Sequence, residues 1–99
     1  MYIRFLGIDG LGGHEVKRLF STLTDVDFIK SVGIREFQDI DFTWGEVLNT
    51  YDVTIEIEPD RDDVSIYIFD DSIYIVDCGC RHKAIIYIDR SAYGKLEII

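Results

Sequence analysis

The chain opens on an apolar run, Tyr2-Ile3-Arg4-Phe5-Leu6-Gly7-Ile8, that reads as a strand and is broken by Asp9-Gly10-Leu11-Gly12-Gly13. Val16, Leu19, Phe20 and Leu23 then fall at i, i+3, i+4 and i+7, the stripe of an amphipathic helix. Val26, Ile29 and Val32 keep a three-residue spacing behind Thr24-Asp25, which predicts a second short helical segment ended by Gly33. Residues 34–38 read as a short strand of ambiguous type. Thr43-x-x-Glu46 matches a capping box, and Trp44, Val47, Leu48 and Tyr51 follow at helical spacing, so a two-turn helix is expected over about 43–50.

From residue 52 the period becomes two. Val53, Ile55 and Ile57 alternate with Thr54, Glu56 and Glu58, a half-buried strand with an acidic outer side. Pro59-Asp60-Arg61-Asp62-Asp63 is a turn by composition. Strands follow over 64–69, 72–77 and 83–89, with a short last one at 95–99. Short connections between successive strands imply an antiparallel meander. The expected fold is therefore α+β: an N-terminal strand and two or three short helices packed on one face of a mainly antiparallel sheet, with a C-terminal β-meander. Ninety-nine residues suit a single domain over 1–99.

The middle strands are apolar on both sides. Val64, Ile66 and Ile68 share one, Tyr67 and Phe69 the other, with Tyr74 and Tyr87 nearby. One side must meet the helices. The other is either the rim of an ordinary core or an uncovered aromatic surface open to a partner or a second copy.

Composition supports a packed fold, because 47% of residues are hydrophobic and 13% aromatic, more than a charge-driven disordered chain carries. Charge changes the picture more. The formal net charge is −9, and its distribution is uneven. Residues 1–35 hold five bases and four acids, and residues 78–99 hold four bases and two acids. Between them, residues 36–77 hold thirteen acids against Arg61 alone, a net of −12. An acidic chain is poorly suited to gripping nucleic-acid backbone or an anionic membrane, so neither direct nucleic-acid binding nor membrane binding is expected. No signal-peptide or membrane-spanning stretch is read in the sequence, and Cys78 and Cys80 make no disulfide framework, so a cytoplasmic setting is expected.

Two motifs carry candidate chemistry. Gly7-Ile8-Asp9-Gly10-Leu11-Gly12-Gly13-His14 sits between a strand and a helix, where phosphate loops occur. A dinucleotide fingerprint would need glycine where Glu15 stands, and a P-loop would need Lys and Ser or Thr where Gly13 and His14 stand. Asp9 and Glu15 would also repel phosphate, so a plain strand-to-helix turn is expected. Cys78, Cys80 and His82 are ligand types that zinc prefers, with Asp60, Asp62 or Asp63 able to supply a fourth donor from the turn at the same end of the meander. The CxCxH spacing lacks the paired CxxC of structural zinc sites, so these residues are weak metal candidates and no cofactor is expected. His14 and His82 are the only imidazoles, one at each doubted motif, and nothing positions a nucleophile with a base, so no enzyme is expected.

The acidic block remains. A −12 charge over 42 residues costs self-repulsion that solubility alone does not require. Glu56 and Glu58 stand two residues apart on one strand face, about 6.7 Å, a spacing of the same order as successive phosphates. Acids also adjoin aromatics, as at Asp41-Phe42 and Trp44 near Glu46. Carboxylates with aromatic anchors suit a basic protein surface. The expected function is a small acidic, non-enzymatic inhibitor that binds a basic nucleic-acid-handling protein, such as a nuclease, by charge and shape mimicry. A phage anti-defence protein (anti-CRISPR or anti-restriction), acting in the host cytoplasm, and an immunity protein for a nuclease toxin both fit. Glu56, Glu58, Asp60, Asp62, Asp63, Asp70 and Asp71 are the expected contacts, with Trp44 and Tyr67 as anchors. A self-associating module, such as a homodimer, is the first alternative, and a metal-binding protein the second.

Overall fold

A computed structural model describes residues 1–41, 46–58, 63–77 and 83–99. Its elements are β1 (Tyr2–Ile8), α1 (Gly13–Ser21), a 3₁₀ turn at Thr22–Asp25, β2 (Ile29–Asp41), β3 (Glu46–Ile57), β4 (Ser65–Ile68), β5 (Ile73–Val76), β6 (Lys83–Ile86), a 3₁₀ turn at Arg90–Ala92 and β7 (Lys95–Ile98). The fold is α+β, with one short α-helix and two antiparallel sheets among the described residues. The larger sheet has the order β2-β3-β1-β7, and the smaller is the meander β4-β5-β6. The meander is thus confined to residues 65–86, while β3 and β7 flank β1, a long-range pairing that short connections do not reveal.

β1 alternates as an amphipathic strand should. Ile3 and Phe5 are fully buried, and Arg4 faces outward opposite Thr54 and Glu97. The alternation then slips: Phe5 pairs with Val53, but Ile8 pairs with Tyr51, so β1 carries an extra residue there. Gly7, at φ +73°, takes the left-handed conformation inside this bulge. Its N–H donates to Asp52 Oδ1 at 3.0 Å. α1 follows as read, burying Val16 and Phe20. Nine residues are too few for a stable isolated helix, so α1 depends on that packing.

The two further helices expected from spacing are not formed. Residues 22–25 make a 3₁₀ turn, and Ile29, Val32 and Gly33 belong to β2. The misleading three-residue interval has a specific cause. Ile29 pairs with Ile57 and Val32 with Ile55, because the register shifts between Ile29 and Ser31. A bulge places both side chains on the inner face, as a helix would. The helix expected over about 43–50 is also corrected. Residues 46–57 form β3, paired with β2 without interruption from Asp41↔Glu46 to Ser31↔Glu56; Thr43 and Trp44 lie outside the described residues. A long ladder with Val47, Thr50, Tyr51 and Val53 outcompetes a two-turn helix, whose nucleation is costly.

Side chains from both sheets and α1 enter one continuous core. Phe5 packs edge-to-face on Phe20 (centroids 5.3 Å apart) and on Tyr93 (5.2 Å). Val53, Ile55 and Ile57 of β3 join Ile73, Ile75, Ala84 and Ile86 of the small sheet in the same cluster. Each such large apolar side chain contributes about 1.5–3 kcal/mol on full burial.

The molecule is long, 51 × 23 × 22 Å. β1 supports β3 only from Tyr51 to Glu56, so residues 37–41 and 46–50 extend as a two-stranded arm. Five residues of β3 beyond Tyr51 carry that arm about 17 Å outward.

Candidate protein-binding surfaces

Along β3, outward residues alternate with the buried Val53, Ile55 and Ile57, which sets Thr54 and Glu56 on the outer face of the large sheet. Glu56 is not a free acid there. Its carboxylate accepts from Ser31 Oγ at 3.1 Å and from the Tyr2 hydroxyl at 3.5 Å, and lies 3.6 Å from Lys30 Nζ. Glu97 on β7 is held likewise, by Arg4 at 3.4 Å and Lys95 at 3.1 Å. Asp52 accepts the Gly7 N–H. Much of this sheet's outer charge is therefore paired across strands. No stretch of sequence foretells these pairings, because Arg4 and Glu97 lie at opposite ends of the chain.

Glu58 follows β3, half-buried, with its N–H donated to the Phe28 carbonyl at 2.9 Å. Asp63 is half-buried just before β4. Asp70 and Asp71 are exposed at the other end of β4, in the two-residue turn closed by the Phe69 N–H donating to the Ser72 carbonyl at 2.8 Å. The Asp70 carbonyl accepts the Arg90 N–H at 2.7 Å, and Asp71 Oδ1 accepts the Ser72 hydroxyl at 3.2 Å. The described acids among the expected contacts thus occupy separate places: the large sheet and its end at Glu58, the start of β4 and the end of β4. Trp44, Asp60, Asp62, Cys78, Cys80 and His82 lie outside the described residues. Among the described residues, no group of three His, Cys, Asp or Glu is placed to hold a metal ion.

The small sheet has a different outer side. Register places Tyr67 opposite Tyr74 and Tyr74 opposite Ile85, an apolar row across all three strands. Phe69 extends it, its ring edge-to-face on Tyr74 at 5.3 Å. Tyr67, Phe69 and Tyr87 remain 53%, 51% and 67% exposed. Ile68, on the inner side, is still 52% exposed because β4 is the sheet edge. Residues 64–69 thus divide between two sides as their alternation predicts, but only the Val64 end is covered by the core.

A cavity of about 290 Å³ lies where α1 meets residues 87–92, with Leu11, Leu19 and Ala92 as apolar walls and Glu15, Arg18 and Asp89 as charged ones. Its mixed signs suit no single ionic ligand. The glycine-rich segment before α1 is a turn, with Gly10 at φ +72° and the Asp9 N–H donated to the Ala92 carbonyl at 3.0 Å. Among the described residues, no helix is long and apolar enough to cross a membrane. Comparison with protein-family models, curated proteins and solved structures finds no match to this chain.

Proposed function

We propose that the protein is a non-enzymatic inhibitor that docks on a basic nucleic-acid-handling protein and occupies the surface that would hold nucleic acid. The observation that carries this is the charge of the projecting arm. Residues 37–50 contain Asp39, Asp41 and Glu46 and no Lys or Arg. The register sets Asp41 opposite Glu46 at the outer end of the described ladder. Asp39 and Asp41, two residues apart on one strand, recur at about 6.7 Å. Surfaces that hold nucleic acid present Lys and Arg to phosphates, and a ribbon whose sequence is acidic and free of bases is complementary to them. Such charges raise the association rate and set register, while exposed aromatics supply contact area. Phage anti-defence proteins and nuclease-toxin immunity proteins are the two settings that match this size and charge.

The test is affinity capture of the tagged full chain from nuclease-treated lysate of the source cell. Basic, nucleic-acid-binding proteins are expected, released as salt rises. The triple variant Asp39→Lys, Asp41→Lys, Glu46→Lys should lose them. Capture of proteins without a basic surface, or capture by the variant equal to that of the native chain, overturns the proposal.

One observation favours a second reading, self-association: the small sheet leaves Tyr67, Phe69 and Tyr87 more than half exposed. A dimer built on them would persist in high salt by light scattering, because apolar burial is not screened.

A further inference from the structure

Among the described residues the two sheets leave four edge strands, and they are not alike. β2 carries Lys30, Arg35, Glu36, Asp39 and Asp41 and a register shift; β7 carries Lys95 and Glu97; β6 carries Lys83. Charges and bulges are the usual devices that keep an edge from pairing with another chain. β4, Ser65-Ile66-Tyr67-Ile68, has neither. We infer that the open edge of β4 receives an extended segment of another protein, one with apolar residues at alternate positions and Lys or Arg at both ends.

The backbone is arranged for it. Phe69 donates its N–H to Ser72, so residue 69 faces β5, and by alternation so do Ser65 and Tyr67. Ile66 and Ile68 therefore direct their N–H and C=O groups away from β5. Among the described residues, no other backbone group pairs with them. An added strand would satisfy these groups and lay alternate side chains beside Tyr67 and Phe69.

Charge selects the occupant. Asp63 precedes β4, and Asp70 and Asp71 follow it. In an antiparallel pair of two β4 strands centred on Tyr67, Ile66 meets Ile68 and Asp63 falls opposite Asp71, once at each end. Like charges directly opposite are destabilising, so a second copy in this fullest-overlap register is disfavoured, whereas basic ends on an incoming segment are paired. This rests on the basic protein partner proposed above and adds where that partner sits.

The probe is a synthetic peptide of alternating Val and Thr with a Lys pair at each end, titrated into the isotope-labelled full chain and followed by NMR. Shift changes and slowed amide exchange are expected at Ile66 and Ile68. A version with Glu in place of every Lys should bind at least about tenfold more weakly, as should the double variant Asp63→Asn, Asp71→Asn. Ile68→Pro removes an outward N–H while sparing the bonds to β5, and should abolish protection at the edge. Should Ile68→Pro fail to fold, the double variant decides. Equal binding of the two peptides, no binding up to millimolar peptide, native-like binding by the double variant or by folded Ile68→Pro, or a salt-resistant dimer overturns the assignment. Lys-peptide shifts confined to β2 and β3 overturn β4 as the site but leave the basic partner standing. Preference for the Glu peptide overturns both.

Discussion

On the outer face of the large sheet, side chains meet one another: Lys30 and Ser31 reach Glu56, and Arg4 and Lys95 reach Glu97. On the outer side of the small sheet, Tyr67, Phe69 and Tyr87 meet water instead, although both sheets press into the same core. The difference separates charge that is counted from charge that is available. Glu56 belongs to the acidic middle of the chain, yet a lysine from residues 1–35 already offsets it. Surface pairs of this kind contribute only about 0.2–1 kcal/mol each; their larger consequence is to remove an acid from recognition. The arm, the β4 edge and the aromatic row are left as the surfaces on which the proposed partner is expected to dock.

The shared core is the first part of this comparison to break. Phe5→Ala should destabilise the protein by about 3–5 kcal/mol, since Phe5 is fully buried against Phe20 and Tyr93. Denaturant unfolding followed separately at the two sheets should show both losing stability together. Two resolved transitions would mean that the sheets do not share a cooperative core.

Gly7→Ala should cost about 1–2 kcal/mol through its left-handed backbone alone, because an added Cβ would come no closer than 3.7 Å to Gly94. Thermal unfolding checks this, and an unchanged midpoint would remove the bulge as a constraint on β1.

On the charged face, Glu56→Gln should lower stability by less than about 1 kcal/mol, and by less again in high salt. A larger or salt-independent loss would show that the pairing with Lys30 is structural.

The smallest stability change belongs to the aromatic side. Tyr67→Thr with Tyr87→Thr should stay within about 0.5 kcal/mol of the native chain, while capture of a partner, or self-association, falls. A large stability loss would place these tyrosines in the core and dissolve the contrast between the two sheets.

Much of this architecture is legible in the chain. β1, α1 and the inward residues of β3 follow from apolar periodicity, since each alternates or repeats against a single buried face, while the three strands of the small sheet follow from short apolar runs bounded by turn residues. The two absent helices mark where periodicity misleads. A bulge at Ile29/Ser31 mimics helical spacing, and the capping box at Thr43 is a local signal overruled by a twelve-residue strand. The acidic arm is visible as composition in residues 37–50 but not as a projection, because that depends on β1 ending its support at Tyr51.

The sequence by itself determined the alternation that buries Ile3, Phe5, Val53, Ile55 and Ile57, the amphipathic α1, and the concentration of acids between residues 36 and 77. Only the tertiary structure decided which acids are neutralised, which edge is bare, and that β7 returns to β1. Local periodicity reports which side of a segment avoids water. Partnership across strands depends on register between residues as far apart as Arg4 and Glu97, a choice made by the packing of the whole chain.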